Sequence, residues 1–323
     1  MTHDNDLWFA DGNVVIVCKD TGFRVHSGVL SLHCQIFKDM LSAALPSAGE
    51  MYEGVDVIRL SDTVSSMRLF LSAIYFRTKG PMRAKLSISE LMRLLELSKK
   101  YMADGLQQEV SEHLRILYPL DMSAYTSDRR KFLLPSDRRF NHYDAVLIAD
   151  RHDLPIILPC ALYLASAKGL QHLLDTPKVP STVARRVHLF RDALDECVTD
   201  LMIDGGWFAV EECADDTSSG EDDVTIGCAG ATFEVQQRSA RAYRTLSFDI
   251  FADYKIDGSG NLCSACQKER ANDHKRLQEL IWNNLPTLCS SDWHSRHDVR
   301  KAQSAIDHPQ PAASAPEASS LTT

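Results

Sequence analysis

Two cysteines stand three positions apart late in the chain, in the sequence Cys263-Ser-Ala-Cys266. Thiolates at this spacing are typical ligands of Zn²⁺. The further candidate ligands are His274, Cys289, Cys213 and Cys228. A structural zinc site needs four ligands, usually from two paired motifs, and the chain has one such pair. Because a helical pattern follows directly, we interpret the pair as the first turn of a helix. We predict no cofactor, with zinc at Cys263 and Cys266 as the weaker alternative.

The common catalytic signatures are missing from the sequence. The pair Gly205-Gly206 lacks the flanking residues of a phosphate-binding loop, and Gly258-Ser-Gly260 lacks a third glycine. Neither a Gly-x-Ser-x-Gly nucleophile elbow nor a His-Glu-x-x-His metal motif occurs. A redox role for the cysteine pair would need a βαβ context, which the pattern does not show. We therefore predict that the protein is not an enzyme.

The net charge of −9 is unevenly distributed over the 323 residues. Between Asp192 and Asp223 the chain has twelve acidic residues and no Lys or Arg, so the rest of the chain carries +3. Within this stretch, residues 211–223 lack apolar periodicity and are predicted to form an acidic loop. The overall acidity argues against direct nucleic-acid binding and against binding to an anionic membrane.

The chain has the features of an intracellular protein. Its N-terminal residues are acidic where a signal peptide would be basic, and no apolar run approaches 18 residues. Most of the nine cysteines are single and lie among apolar residues, which is typical of a reducing compartment. We predict a location in the cytoplasm or the nucleus.

The first 118 residues change between strand and helix patterns in a definite order. A β-branched run over 13–19, a turn at Asp20-Thr-Gly22 and a short run over 23–26 predict a β-hairpin. Two short helices follow, then a third strand over 55–60 and three amphipathic helices. This order, β-β-α-α-β-α-α-α, predicts an α+β domain with a short three-stranded sheet capped by helices.

Six segments in this part of the chain carry a family resemblance. They are Asp11-Gly-Asn-Val-Val-Ile16, Phe23-Arg-Val-His-Ser-Gly-Val-Leu30, Ile36-Phe-Lys-Asp-Met-Leu41, Val57-Ile-Arg-Leu60, Phe70-Leu-Ser-Ala-Ile-Tyr75 and Leu94-Leu-Glu-Leu-Ser-Lys-Lys-Tyr101. In this order they resemble the BTB/POZ domain. With its lead-in over 3–13, the chain is similar to uncharacterised fungal, basidiomycete-type BTB proteins that also have a helical second half.

The resemblance implies roles for particular residues. The BTB core motif corresponds to Asp11, His26, Phe37 and Met40. BTB domains commonly form homodimers through N-terminal residues and the first helices. The interface candidates are therefore Leu7, Trp8, Phe9, Val29 and Leu30, unless these residues only cover the core of the single chain. We predict His26 to be a hydrogen-bonded structural residue rather than a ligand or a base.

One departure from the family pattern bears on function. BTB domains of zinc-finger transcriptional repressors have a pocket charged by an Asp and an Arg, and this chain has Asn13 and Ser27 there. It also lacks a Cys2His2 finger and Kelch-like repeats. We predict a protein–protein interaction module whose partners are itself and another protein. A substrate adaptor for a cullin-type ubiquitin ligase is the specific version, and a nuclear, corepressor-type transcription regulator is the alternative.

The predicted domain organisation follows from composition and helical periodicity. The BTB/POZ domain spans 1–120, and a charged connector broken by a proline spans 121–140. A mainly α-helical region spans 141–300, with helices predicted over 141–150, 158–169, 187–202 and 269–285. The segment 301–323 is rich in Ala, Ser and Pro and is predicted to be a disordered tail.

Overall fold

A computed structural model describes residues 1–43, 50–76, 86–134, 141–204, 249–251 and 263–308. The strands are β1 (Thr2–Trp8), β2 (Val14–Cys18), β3 (Thr21–Val25), β4 (Met51–Tyr52) and β5 (Val55–Leu60). The helices of the first part are α1 (Ser27–His33), α2 (Gln35–Ala43), α3 (Val64–Tyr75), α4 (Ile88–Lys100) and α5 (Asp104–Leu117). The later helices are α6 (Met122–Tyr125), α7 (Asp128–Leu133), α8 (His142–Arg151), α9 (Leu158–Ser166), α10 (Gly169–Asp175), α11 (Ser181–Asp204), α12 (Ser264–Cys289) and α13 (Arg296–Asp307). A 3-10 turn over Pro155–Ile157 joins α8 to α9.

The strands form a mixed sheet in the order β1-β3-β2-β5-β4. The three strands predicted from sequence are its centre: β2 pairs antiparallel with β3, Val14 facing Val25, and parallel with β5, Val14 facing Asp56. The sheet nevertheless has five strands rather than three. Strand β1 pairs in parallel with β3, and β4 pairs antiparallel with β5. The sequence patterns predict neither of these two strands, because β1 is mostly polar and β4 has only two residues.

Local signals fix the helix ends of the first part. The predicted capping box is present at α4, where the backbone N–H of Glu90 donates to Ser87 Oγ at 3.3 Å and that of Ser87 to Glu90 Oε2 at 2.8 Å. Helix α3 is capped by Thr63, whose Oγ1 accepts from the backbone N–H of Ser66. The break between α1 and α2 falls at Cys34.

The segment predicted as a connector is folded as far as the structure describes it. Helices α6 and α7 lie within 121–134, and the side chain of Arg130 in α7 is buried. Its Nε donates to the carbonyl oxygen of Leu117 at 2.8 Å and its Nη1 to that of Tyr125 at 3.1 Å. Because these carbonyls replace water around the guanidinium, Arg130 of the predicted charged connector belongs to the core.

The predicted tail begins too early. Helix α13 continues to Asp307, and Gln303 is buried, with its Nε2 donating to Asp307 Oδ1 at 2.9 Å. The same amide contacts the turn before α9, where its Oε1 accepts from the backbone N–H of Ile156 at 3.4 Å. Residues 309–323 and the predicted acidic loop 211–223 lie outside the described residues.

One hydrophobic core runs from the sheet to α12 without interruption at the predicted boundary near residue 120. Trp282 of α12 reaches across this boundary, and its Nε1 donates to the carbonyl oxygen of Leu120 at 2.8 Å. The second part is mainly helical, as predicted. None of the described helices combines the length and the hydrophobicity that a membrane-spanning segment requires.

Candidate interaction surface

The five predicted interface residues separate into buried and partly exposed groups. Leu7 and Leu30 are fully buried in the core of the single chain, so they have no surface to offer to a partner. For these two, the structure supports the alternative of a role in the core. Trp8, Phe9 and Val29 are partly exposed. Trp8 is the last residue of β1 and Phe9 follows the strand, and the two rings contact different residues.

Trp8 lies beside the hairpin formed by β4 and β5. Its ring stacks on the His3 ring at 3.6 Å and meets the Tyr52 ring edge-on at 6.0 Å. His3 Nε2 lies 3.1 Å from Tyr52 Oη. The Trp8 ring therefore contacts β4, which lies at the opposite edge of the sheet from β1, within the single chain.

Phe9 lies beside the start of α1. Its ring stacks on the Tyr75 ring at 5.0 Å and lies 5.3 Å from the His26 ring. The backbone N–H of His26 donates to Tyr75 Oη at 2.7 Å, and His26 Nε2 lies 3.3 Å from Asp11 Oδ1. His26 is thus hydrogen-bonded to Tyr75 and lies in contact with Asp11. Burial raises the pKa of Tyr75, which keeps its hydroxyl protonated.

The four residues of the predicted core motif have unequal environments. Phe37 is fully buried and stacks on Tyr101 at 4.6 Å, and Met40 packs against the core from its edge. Asp11 is instead exposed and contacts His26 from the solvent side. A hydrogen bond to its own backbone, followed by one to His26, lowers the pKa of Asp11. Asp11 therefore belongs to the turn before β2 and is not part of the buried core.

An apolar strip continues from Phe9 along α1. Val29 and Leu32 are three positions apart in α1, so their side chains lie on one side of the helix, and the Phe9 ring lies against His26 at the N-cap. Leu32 is 79% exposed, the highest value among the large hydrophobic residues of the described chain. We call Phe9, Val29 and Leu32 the α1 face. Sequence reasoning missed Leu32, although its spacing from Val29 was the available signal.

Asn13 and Ser27 form a neutral part of the edge of this face, and the exposed Asp11 lies beside His26 at the N-cap of α1. Asn13 Nδ2 donates to Ser27 Oγ at 3.0 Å, and the backbone N–H of Ser27 donates to Asn13 Oδ1 at 2.8 Å. The two residues that stand at the charged positions of repressor-type pockets are therefore paired with each other. Helix α1 itself contains no Asp, Glu, Lys or Arg.

Asp4 fixes the strand that carries Trp8 and leads into Phe9. Its buried carboxylate accepts from Arg68 Nε at 2.6 Å through Oδ2. Its Oδ1 accepts from the backbone N–H groups of Asp6 and Leu7 at 3.1 and 3.2 Å. The bond to Arg68 ties β1 to α3.

Replacing Asp4 by alanine is expected to lower the free energy of unfolding by about 2 kcal/mol. The change leaves the buried N–H of Leu7 without an acceptor, while the half-exposed Arg68 regains water. The exposed Asp6→Ala variant is the matched control and is expected to change stability by less than about 0.5 kcal/mol. Urea unfolding followed by circular dichroism measures both, and equal effects would contradict the role given to Asp4.

The cysteine pair begins a helix. Cys263 is the N-cap of α12, and its Sγ accepts from the backbone N–H of Cys266 at 3.5 Å. Cys266 is fully buried. In the part of the chain that the structure describes, no group of three or more His, Cys, Asp or Glu side chains is placed to hold a metal ion. The helix-turn interpretation accounts for the spacing of the pair.

Comparison with known families agrees with this geometry. Residues 9–116 match the BTB/POZ domain family, so the first part of the chain is a BTB/POZ domain. BTB domains are protein–protein interaction modules that mediate homo- or hetero-oligomerisation. A search of curated proteins finds no match to the chain.

Proposed function

We propose that the protein is a non-enzymatic interaction module that forms a homodimer through the α1 face of its BTB domain. The observation that carries the proposal is the exposed apolar strip of Phe9, Val29 and Leu32. An apolar residue as exposed as Leu32 gains most when a partner removes it from water. The identity of the domain supports the proposal because oligomerisation is a common activity of the family.

The surroundings of the α1 face suit self-association. Two copies meeting around a twofold axis bring each residue near its own counterpart, so like charges would repel. Helix α1 has no residue with a fixed charge and the Asn13–Ser27 pair beside it is neutral, while the Asp11 carboxylate lies 3.3 Å from His26 Nε2 at the N-cap of the helix. Gly28 is exposed, and a Cβ placed on it would meet nothing within 4 Å. The helix backbone is therefore open to close approach by a partner.

Replacing Val29 by glutamate is expected to weaken dimerisation by at least about 100-fold. The change places two carboxylates across the axis and forces their desolvation. The matched control is Leu174→Glu, which puts the same charge on a 70% exposed leucine of α10. Sedimentation equilibrium gives the dissociation constants. A dimer that survives Val29→Glu unchanged, or is lost equally in Leu174→Glu, would rule out this face.

A narrower form of the proposal is a substrate adaptor for a cullin-type ubiquitin ligase. The continuous core supports it, because a partner bound to the helical region would be held firmly relative to the BTB domain. Affinity purification of the full chain from its native cells tests this form. Recovery of a cullin is the expected result, and consistent absence of any cullin would remove the adaptor role while leaving the dimer proposal intact.

The alternative of a nuclear, corepressor-type regulator has less support. Such a role in the repressor subfamily uses a charged pocket, and here Asn13 and Ser27 form a closed neutral pair. We therefore favour the dimeric interaction module over the regulator.

A further inference from the structure

A tripeptide between α11 and α12, residues 249–251, packs into the helical region. Asp249, Ile250 and Phe251 are described between the end of α11 at Asp204 and the N-cap of α12 at Cys263. Ile250 and Phe251 are buried, with at most 2% of their surface exposed. The tripeptide is therefore held by tertiary contacts and not by a helix or strand of its own.

Side chains satisfy the polar groups of the tripeptide. The Asp249 carboxylate accepts from Tyr125 Oη at 2.6 Å and from Tyr163 Oη at 2.8 Å. The backbone N–H of Ile250 donates to Tyr163 Oη at 2.8 Å, and its carbonyl oxygen accepts from Gln278 Nε2 at 2.6 Å. The backbone N–H of Phe251 donates to Asp249 Oδ1 at 3.2 Å, so the tripeptide forms a local turn whose other polar groups are satisfied by side chains of the helical region.

The Phe251 ring fills an aromatic cleft. Its centroid lies 4.7 Å from those of Tyr163 and Trp282 and 5.9 Å from that of Tyr125. Aromatic pairs at these separations add to the free energy gained from burial. The surrounding side chains thus contact the Asp249 carboxylate, the Ile250 backbone and the Phe251 ring. We call Tyr125, Tyr163, Gln278 and Trp282 the aromatic cleft.

The walls of the aromatic cleft have supports that do not involve the tripeptide. Trp282 Nε1 donates to the carbonyl oxygen of Leu120, and the Arg130 guanidinium lies 4.0 Å from the Tyr125 ring centroid. Helices α9 and α12, which carry Tyr163 and Trp282, pack directly on each other. These contacts hold the walls of the cleft without a contribution from residues 249–251.

We propose that the aromatic cleft is a peptide-binding site for an Asp–aliphatic–Phe motif of a partner protein, and that residues 249–251 occupy it as a competing segment of the same chain. The acid is recognised through two hydroxyl groups, the aliphatic residue through its backbone, and the phenylalanine through ring contacts. This second site lies outside the BTB domain and does not depend on dimerisation.

The first experiment removes, in the full chain, the two side chains that occupy the aromatic cleft. The D249A/F251A variant is titrated into a fluorescent peptide of residues 246–254, and anisotropy reports binding. The variant is expected to bind at least about 10-fold more tightly than the wild-type chain, whose own segment competes at an effective concentration on the order of millimolar. A control peptide with alanine at positions 249 and 251 is expected not to bind. Equal binding of both peptides, or of both proteins, would overturn the proposal.

The second experiment uses the wild-type chain and does not require the variant to fold. Excess peptide 246–254 is added, and hydrogen exchange at the Ile250 amide is followed by mass spectrometry. Displacement of the tripeptide removes the bond to Tyr163, so exchange is expected to accelerate at least about 10-fold, while amides in α9 remain protected. The alanine control peptide is expected to have no effect. No acceleration by the native peptide would show that residues 249–251 are a permanent part of the core.

Discussion

Replacement of Trp282 by alanine is expected to lower the free energy of unfolding by about 4 kcal/mol, in the range typical of large-to-small changes in a core. Trp282 is buried and its ring contacts Phe251 and Tyr125 at 4.7 and 5.2 Å. The change leaves a cavity at the junction of the two parts of the chain. It also leaves the Leu120 carbonyl without its donor. Because the core is continuous there, both parts should unfold together and at lower urea concentration.

Two further variants separate the contributions of the ring and of the hydrogen bond. Trp282→Phe keeps most of the apolar ring but removes the indole N–H, and an effect of about 1–2 kcal/mol is expected. Trp293→Ala, at a partly exposed tryptophan before α13, is expected to destabilise less than Trp282→Ala. Urea unfolding followed by far-UV circular dichroism measures all three. An effect of Trp282→Ala no larger than that of Trp293→Ala would contradict a shared core at this junction.

The free energy of unfolding is expected to fall as the pH is lowered from 7 to 5. Burial, and next the charge of Lys168, lowers the pKa of His142 from 6.5 to about 3. Between these values the unfolded chain binds a proton that the folded chain does not, so stability present above pH 6.5 is lost on acidification. The loss from His142 alone is about 2 kcal/mol at pH 5.

Other buried groups modify this pH dependence in known directions. Burial lowers the pKa of His113 and His152 as well, so both add to the loss. Burial raises the pKa of Asp144, which acts in the opposite direction at the acidic end of the range. The histidines outnumber this carboxyl group, and the net effect is destabilisation by acid.

A variant at position 142 tests whether the lowered pKa of His142 causes the loss of stability at low pH. Asn replaces His without a titrating group and keeps a polar partner for Tyr118 Oη, which lies 3.0 Å from His142 Nδ1. Urea unfolding of the wild-type chain and of His142→Asn at pH 7 and pH 5 is the measurement. We expect the variant to lose about 2 kcal/mol less than the wild type on acidification. Parallel pH profiles would show that His142 does not titrate in this way.

The sequence patterns predicted those elements that combine regular periodicity with local end signals. Strands β2, β3 and β5 have dense β-branched or alternating residues, and α4 has its capping box at Ser87. Strand β1 had no such signal, because it is held by the Asp4 carboxylate and by pairing with β3. Those contacts join residues that are distant in sequence, and composition does not reveal them.

The α1 face could be predicted from the sequence only in part, because burial also depends on contacts between distant residues. Phe9 and Val29 were identified and are partly exposed, whereas Leu7 and Leu30 of the same apolar runs are buried. Hydrophobicity alone does not tell which side of a strand or short helix faces the core until the partners of each face are known. The aromatic cleft was missed because its tripeptide and its walls lie far apart in the sequence.

The measurement that tests the central claim most directly is the molar mass of the full-length chain in solution. Size-exclusion chromatography with multi-angle light scattering at micromolar concentration gives this mass independently of shape. A dimer built through the α1 face predicts twice the chain mass of 36.1 kDa. A single peak at 36.1 kDa under these conditions would contradict the proposed homodimer.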